Sequence, residues 1–235
     1  MGSPVVKICG VRTVHHARVA AEAGADMVGL VFAESRRRVT PAEAREVTAA
    51  AYVPRPRFVG VFVNEDPHVI GRLAGELRLD LVQLSGDEAP EECAGLRVPY
   101  LKVVHVRSGM VAQDVLRIAE RYRNAVAIVL DSSGRRPLGL QPNRDRTDAL
   151  PTAYRLPPTA YGGTGLALDP AIAAEVVRQF SGLVMLAGGL RPETVGGAVR
   201  TVRPWGVDVS SGVETEGAKD EAKITAFVAA AKEAW

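Results

Sequence analysis

Cysteine is nearly absent from this chain: 235 residues contain two, Cys9 and Cys93. Two thiols without metal-type spacing exclude a disulfide scaffold, and a reducing cytoplasm is the expected compartment. Charge of one sign is also lacking. A net charge of +2 argues against nucleic acid or a membrane as the main partner. No apolar run is long enough to span a bilayer. The first residues do not form a basic segment followed by an apolar one, so no signal peptide is expected. No metal motif, nucleophile elbow or P-loop occurs. The clusters of arginine are local, and an anionic small molecule is the simpler client.

What the chain does have is alternation. Short apolar runs at 5–9, 27–32, 58–63, 81–84, 100–104, 125–130, 183–186 and 207–209 read as strands. They are continuous rather than alternating, as strands buried on both faces are. Between them lie segments of helical period, with Thr13, Thr40-Pro41, Asp66-Pro67 and Asp220 as starts. These segments fall near 13–24, 40–48, 66–73, 90–96, 111–123, 170–180, 192–202 and 220–231. Strict alternation means a parallel sheet with crossover helices. Eight units need about 250 residues, so residues 1–235 fit one α/β domain, a (β/α)8 barrel. An open doubly wound sheet is the alternative, weakened because no Gly-x-Gly-x-x-Gly follows the first strand. The stretch 134–160, after the sixth strand, reads as a long insertion rich in proline and arginine. Loops of this length are lids or solvent-exposed insertions, and both readings stay open.

On a barrel, the active site lies at the C-terminal ends of the strands. Cys9, Arg37, Gln83, Asp131, Gly188, Gly189, Asp208, Ser210 and Ser211 would then share one face. Alone, Cys9 reads as a small core residue, the usual fate of a free cysteine. Lys7, two residues earlier in a strand, points the same way, and a nearby cation lowers a thiol's pKa. Cys93 sits within a helical segment and keeps the bland reading. Asp131 ends an apolar strand, where burial raises a carboxyl pKa and suits a general acid; capping of the next loop is the competing reading. One arginine of Arg36-Arg37-Arg38 could clamp a carboxylate or phosphate, against the ordinary fate of a solvated basic loop. Gly188-Gly189 and Ser210-Ser211-Gly212 follow the last two strands. Loops in those places often bind phosphate through backbone N–H groups, and two together favour phosphate over plain tight turns. His15, His16 and His68 carry no signal. His105 could face the site, but the sequence shows no partner for it.

Several segments now match a known family. They include Lys7-Ile8-Cys9-Gly10, Phe58 to Asn64, Val82-Gln83-Leu84, Leu130-Asp131, Gly162-Gly163-Thr164-Gly165, Ala187 to Pro192, and Asp208 to Glu214. In this order, over nearly the whole chain, they resemble phosphoribosylanthranilate isomerase. The resemblance implies a (β/α)8 barrel that needs no cofactor and no metal. It implies an Amadori rearrangement in tryptophan biosynthesis, with Cys9 as general base, Asp131 as general acid and Arg37 holding the anthranilate end. Gln83 and Asp208 are expected beside Arg37 at the substrate. Gly188, Gly189, Ser210, Ser211 and Gly212 are expected at its phosphate. The expected partner is a phosphorylated small molecule, bound by a cytoplasmic monomer or homodimer. Three features depart from the family pattern. Ser85 stands where histidine is usual, Leu168-Asp169-Pro170 replaces Phe-Asp-Trp, and the connection from Asp131 to Gly162 is long. A related sugar-phosphate isomerase is the runner-up, which Cys9 argues against. A non-catalytic barrel is the other alternative, which the presence of both acid and base argues against.

Overall fold

The computed structural model describes residues 3–132 and 168–235. The 134–160 insertion and Gly162 to Gly165 lie outside the described residues. Eight strands alternate with helices. They are β1 (Val5–Cys9), β2 (Met27–Val31), β3 (Arg57–Phe62), β4 (Leu81–Leu84), β5 (Tyr100–Val106), β6 (Ala127–Ser132), β7 (Val184–Leu186) and β8 (Gly206–Val209). All pair in parallel with their sequence neighbours, and β8 returns to β1, so the sheet is a closed barrel. The helices are α1 (Val14–Glu22), α2 (Pro41–Ala49), α3 (Pro67–Glu76), α4 (Pro90–Ala94), α5 (Ala112–Ala119), α6 (Pro170–Gln179), α7 (Pro192–Val202) and α8 (Glu221–Glu233).

The helix starts follow from the sequence. Side chains of Thr13, Thr40, Asp66, Asp169 and Asp220 accept first-turn N–H groups that no helical carbonyl can reach. Prolines open five of the helices, where a missing N–H costs nothing. Strand parity then sorts the core. Met27, Val59, Leu81, Leu101, Val103, Ala127, Val129 and Met185 point inward and fill the lumen. Their neighbours Val28, Phe58, Val82 and Ile128 point outward beneath the helices. Near the C-terminal rim the inward residues change character, to Lys7, Cys9, Gln83, His105, Asp131 and Asp208.

Two details differ from the expectation. Strand β5 runs on to Val106, which brings His105 into register with Asp131. A small hairpin, β9 (Glu214–Thr215) with β10 (Ala218–Lys219), follows β8. Its turn places Glu216 and Gly217 at positive φ, the geometry of tight two-residue hairpins. Among the described residues, no helix is long and apolar enough to cross a membrane.

Candidate active site

A cavity of about 720 Å³ opens at the C-terminal ends of the strands. Every candidate named from the sequence lines it: Cys9, Arg37, Gln83, Asp131, Gly188, Gly189, Asp208, Ser210, Ser211 and Gly212. Strands β1, β4, β6 and β8 bring Cys9, Gln83, Asp131 and Asp208 to the same chamber. Parity explains this convergence, since a shift of one residue would send each group beneath the helices.

Lys7 is fully buried below the cavity floor, and its Nζ donates to Asp208 Oδ1 at 3.0 Å. The two are direct register partners on β1 and β8. Opposite Cys9 in the β1–β2 register stands Gly29. A Cβ at Gly29 would lie 3.0 Å from Cys9 Sγ and 3.1 Å from Lys7 Nζ, so its missing side chain makes room for both.

Burial pushes the Cys9 thiol above its ordinary value; the Lys7 charge pulls it down without overcoming that burial. This corrects the expectation of a thiol with a net lowered pKa: Lys7 acts in the expected direction, but desolvation dominates. Asp131 behaves as expected. Burial, reinforced by the Asp208 carboxylate, pushes its carboxyl up to about 7, against a smaller opposing pull from Lys7. Its protonated form is therefore well populated near neutral pH. Behind it, Gly188 has φ +81°, and a Cβ there would come 2.8 Å from Asp131 Oδ1. Only glycine permits that approach of the β7 loop to the carboxyl.

Gln83 Nε2 donates to Ser85 Oγ at 3.2 Å. Gln83 Oε1 is buried with no hydrogen-bond partner among the described residues. Ser85 thus orients Gln83. His105 also has a partner that the sequence could not reveal: its Nε2 meets the Ser85 carbonyl oxygen at 2.9 Å. Burial holds the His105 pKa down, which favours the neutral ring and donation to that carbonyl.

Arg37 reaches the rim from the loop after β2. Its Nε and Nη2 donate to the two oxygens of Glu214 at 2.6 and 2.9 Å. Glu214 ends one of the matching segments, but the sequence suggested no role for it or for Lys219. Their signal was weak because 177 residues separate Arg37 from Glu214. Among the described residues, no group of three or more His, Cys, Asp or Glu could hold a metal ion.

The sequence and the barrel are both similar to known proteins. The profile of the N-(5'phosphoribosyl)anthranilate (PRA) isomerase family matches residues 6–230. An N-(5'-phosphoribosyl)anthranilate isomerase of Roseiflexus castenholzii is 43% identical over 236 residues, covering 98% of this chain and 99% of its own. The crystal structure of phosphoribosyl anthranilate isomerase from Thermotoga maritima superposes with TM-score 0.78 at 35% identity, covering 98% of this chain and 99% of that one. Another solved phosphoribosyl anthranilate isomerase, in complex with reduced 1-(o-carboxyphenylamino)-1-deoxyribulose 5-phosphate, gives TM-score 0.76 at 32% identity over 98% and 99% of the two chains. With a family match across nearly all its length, this chain belongs to the N-(5'-phosphoribosyl)anthranilate isomerase family.

Proposed function

We propose that this enzyme, a phosphoribosylanthranilate isomerase of tryptophan biosynthesis, uses Asp131 as its general acid and Cys9 as its general base. The reaction is the Amadori rearrangement of N-(5-phosphoribosyl)anthranilate to 1-(2-carboxyphenylamino)-1-deoxyribulose 5-phosphate. Asp131 gives its proton to the furanose ring oxygen. The C1–O bond breaks, the nitrogen lone pair forms the C=N bond, and a Schiff base results. Cys9 then takes the C2 proton, and the electron pair moves through C1 to nitrogen, leaving an enolamine. Tautomerisation gives the ketone, so atoms and charge balance without an outside oxidant.

The observation that carries the assignment is one chamber holding a thiol and a carboxyl with a pKa of about 7. An acid must arrive protonated, and burial keeps a usable share of Asp131 in that form. The base must ionise, and Lys7 is the cation that offsets part of the cost for Cys9. Gln83 and Asp208 complete the floor beside the sugar, and Arg37 takes the anthranilate carboxylate at the rim.

Phosphate goes to the loops after β7 and β8. Gly188 and Gly189 both have positive φ, and their N–H groups donate to no backbone acceptor among the described residues. Such consecutive free N–H groups form a concave anion site. On this reading the whole chain is one barrel domain that works as a monomer or homodimer, and its two reduced thiols suit the cytoplasm. The stretch 134–160 is an insertion into that domain.

The test is loss of the substrate's anthranilate fluorescence on adding enzyme. Wild type turns over. Cys9→Ser and Asp131→Asn each lose about 10²- to 10⁴-fold in kcat, the usual worth of a positioned acid or base. An inactive wild type, or either variant at wild-type rate, contradicts the assignment.

A further inference from the structure

The strongest unexplained feature is a carboxylate behind the cavity wall. Glu214, on β9, has a side chain 4% exposed and does not line the cavity. Four donors converge on it. Oε1 takes Arg37 Nε at 2.6 Å and Lys219 Nζ at 3.0 Å. Oε2 takes Arg37 Nη2 at 2.9 Å and Arg36 Nη2 at 2.6 Å. Each oxygen therefore accepts two charged donors. Burial alone would raise the Glu214 carboxyl, yet its hydrogen bonds from Arg37 and Lys219 and their charges hold it below the ordinary range.

The consequence falls on Arg37. Its guanidinium is gripped along the Nε–Nη2 edge, in the fork geometry that fixes a plane and not only a distance. Nη1 donates to no acceptor among the described residues, and Arg37 lines the cavity. The stem is held as well. Gly10 has φ +74°, and a Cβ there would lie 2.5 Å from Arg37 Cδ. The glycine after the proposed base is thus the slot that admits the arginine. Lys219 extends the contact further, since its Nζ also donates to the Ser210 carbonyl at 2.8 Å, and Ser210 Oγ donates to the Cys9 carbonyl at 3.1 Å.

We propose that Glu214 is a positioning residue for substrate selection: it locks Arg37 so that the free guanidinium edge faces an aromatic carboxylate in the cavity. The inference rests on the reading that Arg37 binds the anthranilate carboxylate. Glu214 never touches substrate; it acts through the arginine. Glutamine cannot replace it, because an amide nitrogen would turn a donor toward two donors. Aspartate keeps both acceptors on a shorter stem.

The experiment compares phosphoribosylanthranilate with its anilino counterpart, which lacks the carboxylate. KM and kcat are measured for both in wild type, Glu214→Gln, Glu214→Asp and Arg37→Ala, with a melting curve for each. Glu214→Gln should raise KM for the anthranilate substrate about tenfold to a hundredfold, the worth of a lost charge-assisted contact. KM for the anilino compound should stay near wild type, and kcat should move little for either. Glu214→Asp should fall between, and it carries the test alone if Glu214→Gln does not fold. An equal rise for both compounds, or no rise for either, overturns the proposal. Arg37→Ala separates the two layers. If it abolishes the preference for the carboxylate while the Glu214 variants keep it, the proposal falls and the reading of Arg37 stands. If Arg37→Ala keeps the preference, both fall.

Discussion

Two of the buried lysine–carboxylate pairs on this barrel, Lys7–Asp208 and Lys102–Glu88, are built differently. Lys7 and Asp208 lie on inward-facing positions of adjacent strands, Asp208 lining the cavity and Lys7 beneath it beside Cys9. Lys102 and Glu88 meet at 2.6 Å on the outer face, where Lys102 also donates to the carbonyls of Gly86 and Leu84. Glu88 accepts in addition from the backbone N–H groups of Asn64 and Gly86. Every strong donor and acceptor in the outer pair is thus used, and the loop after β4 is tied to β3 and β5. The inner pair is less saturated and faces Cys9 and Asp131, the proposed base and acid. A saturated buried pair specifies structure. An unsaturated one beside a thiol and a carboxyl tunes chemistry.

That contrast can be broken by experiment. Lys7→Met should cost the most, because it strips Cys9 of its counter-cation and leaves Asp208 buried without a partner. Activity should fall steeply, and the Cys9 thiol, followed by its alkylation rate against pH in a Cys93→Ala background, should titrate still higher. No change in that titration would remove Lys7 from the chemistry. Lys102→Met should cost about 3–5 kcal/mol of stability by urea unfolding, the usual penalty for orphaning a buried charge. At a temperature where it is folded, its kcat should remain near wild type. If Lys102→Met instead loses activity as deeply as Lys7→Met without loss of stability, the two pairs are not different in kind.

The pH dependence of stability sharpens the same point. The folded pKa of Asp131, about 7, lies above its ordinary value of 3.8. A carboxyl shifted upward favours the folded state fully below the unfolded pKa and loses that contribution as pH rises through the folded one. Asp131→Asn does not ionise, so it should gain stability over wild type between about pH 4 and pH 7, by up to about 4 kcal/mol. A stability difference that stays flat across that window would mean that Asp131 is not desolvated.

Much of the inner region was legible in the sequence. Continuous apolar runs, capped helices and their order were enough for an eight-stranded barrel; the C-terminal ends of its strands put Cys9, Gln83, Asp131 and Asp208 on one rim, and parity along the first strand pointed Lys7 the same way as Cys9. The sign of the Cys9 shift was not legible, since it depends on how deeply the thiol is buried and not on who its neighbour is. Contacts between side chains far apart in the chain were also hidden. Glu214 carries no local mark that it grips Arg37, and Glu88 none that it meets Lys102 fourteen residues on. His105 bonds a backbone carbonyl, which no residue pattern announces. The β9–β10 hairpin escaped because each strand has only two residues, too few for a periodic signal.

The central claim is that Cys9 and Asp131 act as a base and an acid with separately tuned pKa values. It is tested most directly by the pH profile of kcat/KM for wild type and for the residual activity of Asp131→Asn, each normalised to its own maximum. Wild type should give a bell with one limb near pH 7 that belongs to Asp131, and the asparagine variant should lack that limb. A variant profile that keeps the limb near pH 7 would contradict the account.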